Sequence, residues 1–137
     1  MTPLAPNPPC PCGSGQTLGL CCGPALARTT PAATAEALMR SRYSAYVLKD
    51  IAYLKETLWP KFQPGFDFDA TSRWAEESRW TGLTVLATDK GTGTARDGTV
   101  LFEARYLAAA KLHTHRELSL FRKSGGRWYY VEALNES

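Results

Sequence analysis

Four cysteines crowd one short stretch, Cys10-Pro11-Cys12 and, after eight intervening residues, Cys21-Cys22, with none elsewhere in the 137 residues. Cysteines recruited for core packing would be scattered, whereas a C-x-C pair and a C-C pair this close bring four thiolates within reach of one ion. Zinc suits such a set, because tetrahedral Zn²⁺ takes four sulfur ligands at ~2.3 Å and a loop closed between two ligand pairs is the usual structural layout. With thiolate in all four positions no site stays open for water, so the expected role of one zinc per chain is structural. Two disulfides are the first rival reading, and they need an oxidising compartment. Residues 1 to 9 are proline-rich and place no charged side chain ahead of an apolar stretch, so the expectation is a cytoplasmic protein. A redox pair is the second rival, but neither pair has C-x-x-C spacing. Gly13, Gly15 and Gly23 are expected to supply the positive φ that tight turns around a metal require.

A second set of reactive groups lies late in the chain. His113, His115 and Glu117 alternate, so they share one side of a strand, with Ser119 and Phe121 continuing that side. Such a row offers general acids and bases, which makes His113, His115 and Glu117 the catalytic candidates. The plainer reading is that two strand histidines face solvent or serve structure. No nucleophile accompanies them, since every cysteine is assigned to the metal and no serine stands in a G-x-S-x-G elbow. These residues leave open whether the chain is an enzyme, with binding the leading reading.

Arg42 is the third feature, because it falls on the same helical face as Leu38, Met39, Ala45 and Tyr46. A buried charge without a partner is costly, so a carboxylate is expected beside it, from Glu103 or Glu117. The alternative is that its guanidinium receives an anionic ligand. Arg42, Tyr46, Glu103, Glu117 and Trp128 are accordingly the candidate pocket residues. The other basic side chains of the second half interleave with Glu76, Glu77, Glu103, Glu117 and Glu132, the pattern of a solvated surface.

The elements that must position these groups read as two units, a cysteine knuckle with its lead-in over residues 1–28 and a larger domain over 29–137. About a hundred residues suffice to bury a real core. A composition of 44% hydrophobic and 21% charged residues is globular, and no apolar run approaches the ~20 residues needed to cross a bilayer. The formal charge of +3 counts the thiols as neutral. Four thiolates around Zn²⁺ would bring the loaded protein to about +1, less basic than a nucleic-acid-binding chain is expected to be.

After a linker over 24–33, read as free of helix, Thr34 is a natural N-cap with Glu36 in the first turn, opening a helix to about Lys49. Asp50 can cap a second helix over Ile51–Leu58, which Pro60 ends. A loop over 59–68 leads to a third helix from Asp69 to about Glu77. The period then changes to that of strands over Trp80–Thr88, Thr99–Ala109, Leu112–Lys123 and Arg127–Leu134, with Ser124-Gly125-Gly126 as a hairpin signal. Helices followed by an antiparallel meander are α+β, with the helices on one face of a curved sheet.

The string Cys10-Pro11-Cys12-Gly13-Ser14-Gly15 through Cys21-Cys22-Gly23 resembles the SEC-C motif, the zinc knuckle named for the carboxyl end of the SecA translocation ATPase. The run from Thr34 to Tyr46, together with Trp80-Thr81-Gly82-Leu83, Glu103-Ala104-Arg105-Tyr106 and Gly126 to Val131, resembles a family of small uncharacterised bacterial proteins that joins a SEC-C motif to an NTF2-like domain. The resemblance covers nearly the whole chain. It implies an NTF2-like cone, in which about three helices close a curved four-stranded antiparallel sheet over a pocket.

By analogy with the SecA knuckle, which engages a chaperone, the resemblance also implies a protein-interaction or adaptor module with an unidentified protein partner. SEC-C knuckles commonly carry lysines between the ligand pairs, yet residues 1–27 contain no Lys or Arg, so phosphate binding and a nucleic-acid partner are not supported. Leu18 and Leu20 instead offer an apolar edge, for docking onto the chain's own domain or onto another protein. The alternative function is a small-molecule or enzymatic cone using Arg42, His115 and Glu117; nucleic-acid binding stands third.

Overall fold

The computed structural model describes residues 8–136. Four helices, α1 (Gly23–Leu26), α2 (Ala35–Leu48), α3 (Ile51–Glu56) and α4 (Phe68–Glu77), precede four strands, β1 (Arg79–Lys90), β2 (Asp97–Ala108), β3 (Lys111–Ser124) and β4 (Arg127–Glu136). Short 3-10 turns occupy Leu18–Leu20 and Pro60–Gly65. The strands form one antiparallel meander in the order β1-β2-β3-β4. None of the described helices is long and apolar enough to cross a membrane.

Local chemistry sets the helix boundaries. The Thr34 hydroxyl accepts the Ala37 N–H at 3.0 Å, capping α2. At its other end Lys49 takes the left-handed conformation, with φ 61°. The Asp50 carboxylate then accepts the Tyr53 N–H at 3.2 Å and opens α3. Three expectations are corrected. The linker holds one helical turn, α1, whose first turn contains Pro24, where a missing N–H leaves no bond unmade. The cap of α4 is Asp67, whose carboxylate accepts the Ala70 N–H at 2.9 Å, and Asp69 sits inside the first turn. Helix α3 stops at Glu56, and Leu58 instead forms a parallel bridge with Tyr130. There the Tyr130 N–H donates to the Thr57 carbonyl and the Trp59 N–H to the Tyr130 carbonyl, both at 2.8 Å. Pro60 disfavours helical Trp59, and the open edge of β4 offers the backbone partners that the helix would have supplied.

Alternation sorts the strands by face. Val100, Phe102 and Ala104 of β2 and Glu117, Ser119 and Phe121 of β3 are buried on the inner face, while Arg116 and its neighbour Glu103 lie on the outer one. Irregularities in β1 between Trp80 and Gly82 and between Val85 and Ala87, and in the β3–β4 pairing near Leu118 and Leu120, bend and twist the sheet. Helix α2 lies in the resulting hollow, where Leu38, Met39 and Tyr43 pack with Leu83, Val100, Phe102, Phe121 and Trp128. Each fully buried side chain of this size contributes about 1.5–3 kcal/mol. Cys10, Cys12 and Cys22 belong to the same buried cluster, so the knuckle and the cone share one core.

Candidate metal centre and cone cavity

Two turns and one helix bring the cysteines together. The Cys10 N–H donates to the Gln16 carbonyl at 3.0 Å and the Gly13 N–H to the Cys10 carbonyl at 3.2 Å, folding the first ligand pair into a tight loop. Gly13 and Gly15 have φ of 75° and 88°, as that loop requires. Gly23 differs from its expectation. It adopts ordinary helical φ, and its need is for space, because a Cβ there would lie 2.6 Å from the Leu18 carbonyl oxygen.

The four Sγ atoms lie within 4.8 Å of one another. Sγ of Cys12 is 3.5 Å from that of Cys21, which is 3.9 Å from that of Cys22. A tetrahedron with ~2.3 Å metal–sulfur bonds has edges of ~3.8 Å, so the sulfurs are already at ligand spacing. All four cysteines are free of disulfides. An all-sulfur donor set fits a borderline or soft cation and offers nothing to a hard one.

The surroundings tune the sulfurs. The Cys22 thiol donates to Cys12, with Ser14 and Cys21 assisting and burial opposing, and the Cys12 thiol is held down to about 4. Cys22 is pushed up because its proton is shared with Cys12 and because it is buried, and burial also raises Cys21. The Cys12 thiolate is thus accommodated by its neighbours' protons, while Cys21 and Cys22 need a cation to give theirs up. The outer partners tie the cluster to helix α2: Arg40 Nη1 donates to the Cys12 carbonyl at 3.0 Å, and the Ser44 hydroxyl is 3.6 Å from the Cys10 sulfur. Ser14 donates to the Cys21 sulfur at 3.1 Å. The edge expected of Leu18 and Leu20 is divided. Leu18 packs on the shared core, whereas Leu20 is 76% exposed.

On the other side of α2 a cavity of about 160 Å³ lies between the helix and the sheet. Its lining includes Met39, Arg42, Tyr43 and Tyr46 from α2, Trp74 from α4, Trp80 from β1, and His115, Glu117 and Ser119 from β3. Of the sequence candidates, Arg42, Tyr46, His115 and Glu117 line this cavity. His113 does not. It stacks on Tyr106 with ring centroids 5.0 Å apart, and its Nε2 is 3.2 Å from the Ala108 carbonyl. Glu103 faces outward, where its carboxylate is 3.7 Å from Arg116. Trp128 is buried in the core and borders a smaller hollow beside Arg28 and Tyr53.

The expected carboxylate beside Arg42 is replaced by neutral groups. Arg42 Nη1 donates to the Leu54 carbonyl at 2.8 Å and to the Thr57 hydroxyl at 2.7 Å, and the guanidinium carbon lies 4.7 Å from the centre of the Tyr130 ring. Burial works against the charge. Glu117, the inner candidate partner, is occupied elsewhere. Its Oε1 is 2.9 Å from His115 Nε2, and its Oε2 accepts from the Tyr130 hydroxyl at 2.9 Å and from the Ser119 hydroxyl. Burial alone would raise this carboxyl, but the bonds from His115, Ser119 and Tyr130 together hold it below the ordinary carboxylate range. A carboxylate so stabilised is a weak base, which favours positioning and binding over proton abstraction.

Alternation found Ser119 on the side of His115 and Glu117, but Thr57 escaped sequence reasoning as a partner of the site. Thr57 arrives by long-range packing, as do Trp74 and Tyr130, which join the site from α4 and β4. Trp74 stands edge-on to His115 and to Trp80, with centroids 6.1 and 5.3 Å apart.

With this geometry the comparisons with known proteins agree. Residues 7–24 match the SEC-C motif, and residues 34–133 match the middle NTF2-like domain described for YchJ. The UPF0225 protein GSU1048 of Geobacter sulfurreducens is 44% identical over 123 residues, covering 90% of this chain and 76% of that one. The solution structure of RPA3114, a SEC-C motif containing protein from Rhodopseudomonas palustris, is similar with a TM-score of 0.84 at 48% identity, over 90% of this chain and 95% of that one. The crystal structure of a SEC-C motif containing protein from Psychrobacter arcticus gives a TM-score of 0.79 at 32% identity, over 90% of this chain and 80% of that one. The chain belongs to the family of the YchJ middle NTF2-like domain, with a SEC-C motif joined ahead of it.

Proposed function

We propose that the chain is a cytoplasmic ligand-binding protein in which one structural zinc ion, held by Cys10, Cys12, Cys21 and Cys22, orders the knuckle that packs on the helix roofing the cone. The zinc supplies a cross-link where the knuckle has little apolar surface of its own to bury. The observation that supports ligand binding is the cavity between α2 and the sheet, with aromatic walls and a few converging polar groups from Arg42, His115, Glu117 and Ser119. That makeup is usual for small-molecule sites. Metal analysis of protein purified under reducing conditions should return about one zinc per chain. Thermal shift against a library of small organic compounds should find stabilising ligands whose effect disappears in Phe102→Trp, which fills the space. A library with no stabilising member would remove the ligand-binding reading.

A second reading, protein docking through the knuckle, draws on exposed Leu20 beside a groove bordered by Ser14, Gln16, Thr34, Ala37 and Arg40. With Leu18 turned to the chain's own core, the apolar part of that surface rests on a single leucine. Leu20→Asp should abolish recovery of a knuckle-dependent partner, and unchanged recovery would end this reading.

A further inference from the structure

We infer that the cone cavity is a site for a small organic acid, a molecule with one aromatic ring or an apolar body of that size, bound through its carboxylate to the unengaged edge of the Arg42 guanidinium. This rests on the cone being a ligand cavity and specifies the chemistry of what enters it.

The hydrogen-bond inventory of the cavity selects an anion. Arg42 is held by one nitrogen only, with Nη1 on the Leu54 carbonyl and the Thr57 hydroxyl, and Thr57 is itself anchored through its hydroxyl to the Tyr53 carbonyl at 2.7 Å. The Tyr130 ring covers a face of the guanidinium at 4.7 Å. Plane and direction of the fork are therefore set before any ligand arrives. Among the described residues Nε and Nη2 meet no hydrogen-bond acceptor, and none of the ion pairs formed there involves Arg42. Nor does Arg42 appear among the polar atoms sealed away without a partner, which are Thr17 Oγ1, Ser78 Oγ, Trp80 Nε1 and Trp128 Nε1. Its spare nitrogens keep access, and the residue lines the cavity. The Nε–Nη2 edge presents two parallel N–H groups, the pattern that a carboxylate engages with both oxygens at once.

The remaining polar groups do not compete for that ligand. The hydroxyl protons of Ser119 and Tyr130 point at Glu117, and Glu117 already has three partners. Unmet capacity among these groups is thus in donors, the open edge of Arg42 and the Trp80 indole N–H, which is sealed without a partner. A cationic ligand would add a second positive charge and leave the fork empty, and a neutral apolar ligand would strip water from the fork without replacing it. Size follows from the volume: about 160 Å³ is close to the ~150 Å³ apolar cavity that admits benzene. Trp74, Trp80, Tyr43, Tyr46 and Phe102 supply ring faces and edges around that space.

The test is calorimetric titration of the full-length protein, purified under reducing conditions, with four probes of one ring size: benzoate, benzamide, benzylamine and toluene. Benzoate is expected to bind at least about tenfold more tightly than benzamide, and benzylamine not measurably. Glu117→Gln, which removes a negative charge near the fork, should tighten benzoate severalfold, and Arg42→Lys, which keeps the charge but loses the fork, should weaken it by about tenfold. Equal binding of benzamide or benzylamine, binding of toluene alone, or unchanged benzoate affinity in Arg42→Lys would overturn the organic-acid assignment while leaving the cavity a ligand site. Failure of all four probes would overturn the organic-acid assignment, and the compound library would then decide whether the cavity is a ligand site at all. Should Arg42→Lys not fold, the probe series on the unaltered protein decides alone.

Discussion

The knuckle and the cone are ordered by different means. Over residues 8–26 the helical structure is one 3-10 turn and one α-helical turn, neither with a buried residue, and what is buried is sulfur: Cys10, Cys12 and Cys22. The cone instead has four paired strands and a capped helix of 14 residues around Leu38, Val100 and Phe121. In the first region a sulfur cluster stands where a core would be; in the second, apolar burial needs no help. The difference teaches that Arg40, Ser44 and Leu18, together with the buried cysteines, make one body of the two, since they join the knuckle to α2 and to the shared core.

Removing the metal should separate the two regions most strongly. Apparent binding energies for structural zinc reach ~10–16 kcal/mol in small peptides. Chelation, or Cys21→Ser, is therefore expected to abolish hydrogen-exchange protection at the amides of Cys10, Leu18 and Leu26, which are bonded only within the knuckle. Amides paired between β2 and β3 should stay protected, and their simultaneous loss would break the comparison. The converse variant is Phe121→Ala, expected to cost about 3–5 kcal/mol in denaturant unfolding without changing zinc stoichiometry. A fall in metal content would show that the knuckle depends on the cone more than its own geometry indicates.

The third and smallest effect concerns Glu117. Its folded pKa lies below the ordinary value, so the stability it contributes is complete above about pH 4.3 and is lost as pH falls through the lowered folded value. Glu117→Gln should cost about 1–3 kcal/mol at neutral pH. It should also flatten the acid limb of the stability curve, measured by unfolding between pH 7 and the acid transition. An acid limb as steep as that of the unaltered protein would place the titration elsewhere.

Much of this architecture was legible beforehand because its causes are local. Thr34 and Asp50 were recognisable as caps, and the alternation of His115, Glu117 and Ser119 identified one side of β3. The family resemblance supplied the cone itself, and the comparisons agree with it. Where expectation and structure part, a distant segment intervened. Leu58 left its helix to pair with Tyr130, a residue more than seventy positions away. Trp128 and Tyr130 share a strand, yet Tyr130 lines the cavity and Trp128 does not, because position along the cone matters as well as face.

By itself the sequence determined the four-sulfur set, the order of helices and strands, and the side of β3 on which His115, Glu117 and Ser119 stand, since spacing, capping and alternation act over a few residues. Only the tertiary structure decided that Arg42 takes neutral hydrogen-bond partners, that Glu117 is taken by Tyr130 and Ser119, and that Leu18 turns inward while Leu20 stays in solvent. Those outcomes depend on distances between segments far apart in the chain. Desolvation and hydrogen-bond competition choose partners there, and no local pattern encodes the choice.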